Sequence, residues 1–322
     1  WRVVYMKPIL TIHTATYNRA YILEKAYRSL QKQTEMNFEW LITDDGSTDG
    51  TEELVDGWIK EQNPFNIRYI KLEHQGLIRA VNYAISVANG KYYFRLDSDD
   101  YLRYDAVEQI VKRLNEIDDK EEFVAVGFVR VTEDGEPLKG VWPNVNKKGF
   151  VDCTNLERKK YNLDADMCEA YKTDIMRKYK FPVWEGELFA PEQLQSDKLA
   201  MLGYKIRWYN EGIYICEYQD IGLTKGNWDL LRKNKMGYAM LSNMQMITNE
   251  EFKEKFKAAG QHIALSIVAG YPSYIFKTNK KWLTVLALPY GILLSFRRRE
   301  QFKWDDPINK RNYIKGFPFL RK

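Results

Sequence analysis

From Ile9 to Asp119 short apolar runs alternate with amphipathic stretches, and this rhythm limits the fold more than any other feature of the sequence. "ILTIHT", "FEWLITDD", "NIRYIKL" and "KYYFRLD" read as strands. "AYILEKAYRSLQKQ", "STDGTEELVDGWIKEQ", "GLIRAVNYAISVAN" and "RYDAVEQIVKRLNEI" read as helices, with apolar positions three and four apart. Ser, Thr and Asp are available to cap the second helix, and Gly90 follows the third where a C-terminal turn favours glycine. Strand–helix units in such a row build an α/β fold with a mostly parallel, doubly wound sheet. Sheets of that kind bind ligands at the carboxyl ends of their strands. Here those ends carry "TATYNR", "DDGSTD", "EHQG" and "DSDD", polar loops that share one rim.

The last of these loops crowds Asp97, Asp99 and Asp100 together behind an apolar run. Like charges that close repel unless a cation or hydrogen-bond donors offset them. Asp-x-Asp after a strand suits Mg²⁺ or Mn²⁺ holding a diphosphate, because such ions take hard oxygens, one or two of them from protein carboxylates. A solvated, helix-capping turn would show the same letters, so the neighbouring loops carry the weight. Tyr17 can stack on a base, and Asp44 or Asp45 can accept a hydrogen bond from a base N–H or a ribose hydroxyl. Arg79, on the third helix, can offset phosphate charge.

Taken in order, "ILTIHTATYNRAYILEKAYRSLQKQT", "WLITDDGSTDGTEELV" and "FRLDSDDYL" resemble the nucleotide-sugar-binding half of family 2 glycosyltransferases, over about residues 8–116. The resemblance implies the GT-A fold, a Rossmann-like sheet flanked by helices. It also implies inverting, metal-dependent transfer of a sugar from a nucleotide-diphosphate donor, with UDP-sugars the commonest. On that resemblance Thr14, Thr16, Tyr17, Asn18, Asp44 and Asp45 hold the nucleoside, and Arg79, Asp97 and Ser98 complete the donor pocket. Asp99 is the direct ligand of Mn²⁺ or Mg²⁺, with Asp97 beside it. Ala15 stands where the family commonly has proline, which stiffens the loop less and removes no chemical group.

Inversion needs a base on the acceptor side to take the hydroxyl proton. Relatives carry a Glu-Asp pair at the start of a helix that ends in a "GYKI"-like turn. Counting back from Gly203 puts Glu192 on the pair's Asp and Pro191 on its Glu, so the pair is incomplete. Glu192 is the candidate base, with Glu185, Glu187 and Asp197 as rivals, although a glutamate there also suits the helix dipole. "YICEYQDIGLTKGNW" resembles the segment that follows in capsule and exopolysaccharide transferases. It lacks the histidine that many relatives place there, leaving Asp220 or water to complete a metal shell, and Lys225 to face the leaving group.

These readings divide the chain into a catalytic region, 1–222, and a helical C-terminal region, 223–322. The first comprises a donor half (8–119) and an acceptor half (120–222). In the acceptor half "FVAVGFVRV", "KIRWYN" and "IYICEY" are expected to extend the sheet. The C-terminal region holds helical stretches at "WDLLRKNKMGYAMLSNMQMI" and "EEFKEKFKAAGQHIALSIVAGY", then uncharged residues 282–296 between Lys280–Lys281 and Arg297–Arg299. That run is short of the roughly 20 apolar residues that span a bilayer and is interrupted by Pro289. It reads as a buried helix or as an interfacial segment whose basic edges meet anionic lipid. A lipid-linked acceptor at the cytoplasmic face, with the protein peripheral there, agrees with the second reading.

The formal net charge of +5 does not argue for nucleic acid. Cys153, Cys168 and Cys216 show no metal or disulfide spacing, which points to a reducing compartment, and the dispersed His13, His74 and His262 read as structural. "WRVVYMKP" is too short for a signal core, and Met6 is the expected natural start. A catalytically silent sugar-nucleotide-binding or assembly protein is the alternative that the incomplete Glu-Asp pair keeps open. A nucleotidyltransferase would want a glycine-rich basic loop after the first strand, and a dehydrogenase a GxGxxG there; "TATYNRAY" is neither.

Overall fold

Every residue of the strand "FEWLITD" is buried, and the strand beside it is buried almost throughout, so both faces of the sheet's centre are covered. A computed structural model describes residues 7–138, 140–163, 166–217 and 227–304. The first half runs β1 (Leu10–Thr16), α1 (Glu24–Gln31), β2 (Phe38–Asp44), α2 (Thr51–Lys60), β3 (Asn66–Lys71), α3 (Leu77–Val87) and β4 (Tyr92–Arg95). A short β5 (Tyr101–Leu102) and α4 (Ala106–Asn115) follow. Then come β6 (Phe123–Val131), β7 (Phe150–Cys153), β8 (Met167–Lys172), α5 (Thr173–Lys178), α6 (Gln193–Met201) and β9 (Lys205–Ile215).

Among the described residues these strands make one open, mixed, mostly parallel sheet in the order β3-β2-β1-β4-β8-β6-β9-β5, with β7 also paired to β9. β3, β2, β1, β4, β6 and β9 run one way; β8, β5 and β7 oppose them. "KIRWYN" and "IYICEY", expected as separate strands, are one continuous β9, whose register against β6 shifts at irregularities instead of breaking. Rings fill the space between sheet and helices: Tyr27 of α1 stacks on Trp58 of α2 at 4.4 Å, and Trp58 lies 5.8 Å from Trp40 of β2. Such ring pairs add about 0.5–1.5 kcal/mol each beyond the area they bury.

At the end of the sheet opposite the polar loops, Glu39 of β2 gathers four hydrogen bonds. Oε1 accepts from the Thr11 hydroxyl and the Asn89 backbone N–H, both at 2.7 Å; Oε2 accepts from Asn89 Nδ2 at 2.8 Å and Arg68 at 2.9 Å. Next to it, Gly90 differs from the expectation. Its φ is not positive, and α3 has already ended at Val87. Glycine is needed because a Cβ would sit 2.3 Å from the Thr11 backbone nitrogen.

The chain divides into two compact units, Trp1–Phe181 with Gln195–Asp220, and Pro182–Leu194 with Ile221–Lys322. The second contains α7 (Asn227–Lys233), α8 (Lys235–Thr248), α9 (Phe252–Val268) and α10 (Lys281–Trp304). The stretch expected as one helix is two, because Asn234 leaves the helical path. Its Oδ1 accepts from the backbone N–H groups of Leu188 and Phe189 at 3.0 and 2.9 Å. His262 is structural as expected, its ring nitrogens facing the carbonyls of Ala239 and Tyr274.

Candidate active site

Because β1 lies between β2 and β4, the loop after β1 is flanked by the loops that follow both neighbours. Its residues touch each side. The Thr16 carbonyl accepts the Asp45 N–H at 2.9 Å, and Asn18, in the left-handed region at φ 53°, donates its backbone N–H to Ser47 Oγ at 2.8 Å. Asn18 Oδ1 then accepts from the Thr48 N–H at 2.8 Å. On the other side Arg19 reaches Asp99 at 3.3 Å.

The β2–β3 side is built around two carboxylates. Asp44 Oδ1 accepts the Ser47 N–H at 2.7 Å, and Oδ2 accepts the Tyr69 hydroxyl. Asp45 receives the N–H groups of Gln75 (2.8 Å) and Gly76 (2.9 Å), and His74 Nδ1 lies 2.9 Å from its Oδ2. Gly76, at φ 92°, makes the turn that aims these N–H groups and starts α3. Tyr17 stacks on His74 with ring centroids 4.3 Å apart and planes 19° apart. Tyr17 is 44 % exposed, so part of its side chain stays open beside the His74 that pairs with Asp45.

Three arginines balance the acidic turn. Asp97 pairs with Arg95 at 3.1 Å and with Arg130 of β6 at 2.9 Å; Arg130 also lies 3.6 Å from Asp100, and Arg19 takes Asp99. The Asp97 N–H donates to the Tyr214 hydroxyl at 2.8 Å, and the Arg130 guanidinium lies 4.2 Å from the Tyr214 ring centre. Burial works against ionised Asp97, but Arg95 and then Arg130 overcome it and hold its carboxyl well below the usual range. Asp100 goes the other way: burial, then the charge of Asp97, push it up to about 7 against the pull of Arg130. The side chains of Asp97 and Asp99 keep 30 % and 25 % of their surface open, while Asp100 keeps 8 %. Asp97 and Asp99 are thus the carboxylates of this turn that stay open at the rim.

The sequence profile described as glycosyl transferase family 2 matches residues 11–180, more than half of the chain and all four loops that follow β1 to β4. The chain belongs to glycosyl transferase family 2. Over 105 residues it is 38% identical to a chondroitin synthase of Pasteurella multocida, a match covering 33% of this chain and 11% of that protein. Over 132 residues it is 31% identical to TuaG of Bacillus subtilis, a putative teichuronic acid biosynthesis glycosyltransferase, covering 41% of this chain and 51% of that one. The chain therefore spans about a tenth and about half of these relatives. The fold is that of S. aureus TarS 1-349 in complex with UDP-GlcNAc, with a TM-score of 0.57 at 18% identity, covering 87% of this chain and 79% of that one. A mannosyltransferase from Pyrobaculum calidifontis, in complex with GDP-Man and Mn2+, gives a TM-score of 0.53 at 16% identity, covering 90% and 88%.

Set on this family 2 framework, the residues singled out in the sequence fall into distinct groups. Tyr17, Asn18, Asp44, Asp45, Asp97 and Asp99 meet on the rim through the contacts above. Arg79 lies in the first turn of α3 and donates to the Gln75 carbonyl at 3.1 Å, while Ser98 is buried in the acidic turn. Thr16 is buried with a hydroxyl that has no hydrogen-bond partner among the described residues. Thr14 is wholly buried within β1, and its hydroxyl accepts the Trp40 indole N–H at 2.9 Å. From the sequence His74 was read as structural, and Arg19, Arg95, Arg130 and Tyr214 were not singled out. For His74 the signal was its place in "EHQG", one of the rim loops; Arg130 and Tyr214 come from distant strands.

Among the described residues no three His, Cys, Asp or Glu side chains converge as a metal cage. The donor set still fits a hard divalent ion: Asp99 offers a partly open carboxylate whose arginine contact is long, and Asp97 has a further open edge. Ions of this kind complete their shells with phosphate oxygens and water. Of the candidate bases, Glu187 accepts the N–H groups of Met236 (2.6 Å) and Gly237 (2.9 Å) and so caps α8. Asp197 is buried and accepts from Asn155 at 2.8 Å. Glu185 is exposed, and Glu192 is half-buried immediately before α6. Asp220 and Lys225 lie outside the described residues.

Proposed function

We propose that this chain transfers a sugar, with inversion, from a nucleotide-diphosphate sugar to a glycan or lipid-linked acceptor in surface polysaccharide synthesis, and that the donor is a UDP-sugar. The observation that carries the reading is the continuity of the rim: one loop after β1 holds Tyr17 against His74, itself paired with Asp45, and, two residues on, Arg19 against Asp99. A planar base and a charged diphosphate need those two kinds of surface side by side. The UDP-GlcNAc complex of TarS and the GDP-Man and Mn2+ complex of the Pyrobaculum enzyme support the donor class.

In this reading Tyr17 supplies the stacking face for the base, and Asp45, fixed by the Gln75 and Gly76 N–H groups, accepts from it. Asp99 and the open edge of Asp97 hold Mn²⁺ or Mg²⁺, which stabilises charge on the departing diphosphate when bound. The acceptor oxygen forms its bond to the anomeric carbon as the bond from that carbon to the diphosphate oxygen breaks. The acceptor's proton passes to a carboxylate, for which Glu192 is proposed. A thermal-shift panel of nucleotide sugars, with and without Mn²⁺, tests the assignment. A metal-dependent rise in Tm confined to one donor is expected; no rise with any sugar nucleotide overturns it. Glu192→Gln is expected to keep donor binding and lose transfer, and near-normal turnover would place the base elsewhere.

A further inference from the structure

The longest helix of the second unit has two different faces. α10 packs its small and aliphatic residues inward: Leu283, Thr284, Ala287 and Ser295 are buried, Leu283 and Ala287 within one cluster with Ile263 of α9. Trp282, Val285, Leu286, Leu293 and Phe296 are instead 53–70% exposed. At 3.6 residues per turn these five fall within an arc of about 100°. The exposed arc contains no charge from Trp282 to Phe296. Lys281, Arg297 and Arg299 lie exposed at its two ends, with Lys280 just before the helix. Among the described residues this apolar face stays exposed, apart from a ring contact of Trp282 with Phe252, and exposed apolar faces mark interaction surfaces.

We propose that this face of α10 docks the protein on an anionic lipid surface, lying in the interface and not crossing it. Charge selects the occupant. A second copy packed on the same face, in either orientation, would bring basic end against basic end. Acidic headgroups offer the opposite sign at both ends at once. Trp282 stands at one edge of the apolar run, where indole rings favour the boundary between headgroups and acyl chains. Fifteen uncharged residues give about 22 Å of helix against a hydrocarbon core of about 30 Å. Among the described residues no helix is long and apolar enough to cross a membrane. The inference uses none of the donor-site residues, so it stands or falls apart from the transfer reading.

The test is co-sedimentation of the full chain with phosphatidylcholine vesicles, with and without phosphatidylglycerol, beside the variant Leu286→Asn/Leu293→Asn and the remote control Ile59→Asn. The wild type and the control are expected to bind the anionic vesicles, less well as salt rises, and the double variant at least tenfold more weakly with an unchanged Tm. Sedimentation velocity on the same samples reports self-association. Equal vesicle binding by wild type and double variant, no binding by either, or wild-type oligomers that the double variant abolishes would each overturn the proposal. Tm shifts with nucleotide sugars, read on the same preparations, keep failure here separate from failure of the donor site.

Discussion

Replacing Glu39 by Gln tests how the sheet is held in register at the end remote from the rim. The Glu39 side chain is 1 % exposed and accepts four hydrogen bonds, two at each oxygen. Gln keeps one acceptor oxygen and puts an amide N–H₂ in place of the other. Were that group to replace Oε1, the Thr11 hydroxyl could turn to accept, but the Asn89 backbone N–H could not. In place of Oε2 it would face Arg68. Either way at least one buried donor loses its acceptor, at about 1–3 kcal/mol, and Arg68 loses its charged partner. The combined cost is about 3 kcal/mol, which for a unit of this size lowers Tm by roughly 6–12 °C.

The same substitution makes a pH prediction. Burial would raise the carboxyl, but hydrogen bonds from Thr11, Asn89 and Arg68 outweigh it and hold Glu39 below its ordinary 4.5. A depressed folded-state value contributes stability above the unfolded value and loses it as pH falls through the folded one. The gap between wild type and variant should therefore be full at pH 7 and narrow below 4.5. Thermal melts followed by circular dichroism at several pH values measure it, and UDP titration at pH 7 should stay within about twofold because no rim residue is touched. A Tm loss under about 2 °C would refute the hydrogen-bond accounting.

Tyr17→Ala should weaken UDP binding by about 1–3 kcal/mol, the usual range for base–aromatic stacking, with little change in Tm; a calorimetric affinity within twofold of wild type would remove Tyr17 from the pocket. Among the described residues Arg130→Met leaves Asp97 with Arg95 and removes the ion pair of Asp100, and should cost about 3 kcal/mol, the low end for a broken buried pair because Asp97 is partly open. Urea melts would show it, with Arg130→Lys intermediate. His13, which burial and then Arg95 hold down at about 3 against an ordinary 6.5, stays neutral in the fold while the unfolded chain takes up a proton. Stability should fall as pH drops from 6.5, by about 2 kcal/mol at pH 5, and His13→Gln should lack that slope.

The parallel half of the fold was legible because each of its strands is a local apolar run bounded by turn letters, and its helices keep one period. Asp45, Tyr17 and Asp99 were legible for the same reason: strand ends in such a sheet lie side by side. What escaped was set by distance along the chain. Arg130 and Tyr214 look like ordinary members of β6 and β9 and become part of the acidic turn only when those strands pair. Asn234 reads as a helix residue, yet it breaks the helix through bonds to a segment more than forty residues earlier. Gly90 was read as a local turn signal, although the reason for it is the backbone of β1.

The acidic turn shows how far a charge argument from sequence can reach. Crowded carboxylates need positive charge nearby, and the sequence reading assigned that charge to a bound cation. The protein supplies much of it itself, since Arg95, Arg130 and Arg19 face Asp97, Asp100 and Asp99. These pairs are not equivalent. Asp97 is held by two guanidinium groups, with the Tyr214 hydroxyl at its N–H, and Asp100 lies buried beneath. Arg19 and Asp99 share a single contact of 3.3 Å, with about a quarter of each side chain exposed. An ion pair that long and that open is worth little, so it is the one an incoming ligand can separate at least cost. The two groups released would be one carboxylate and one guanidinium, adjacent on the rim, with the charges that a metal ion and a diphosphate require. The arginines therefore do not compete with the donor-site reading; they leave Asp99, and not Asp100, as the carboxylate free to change partners.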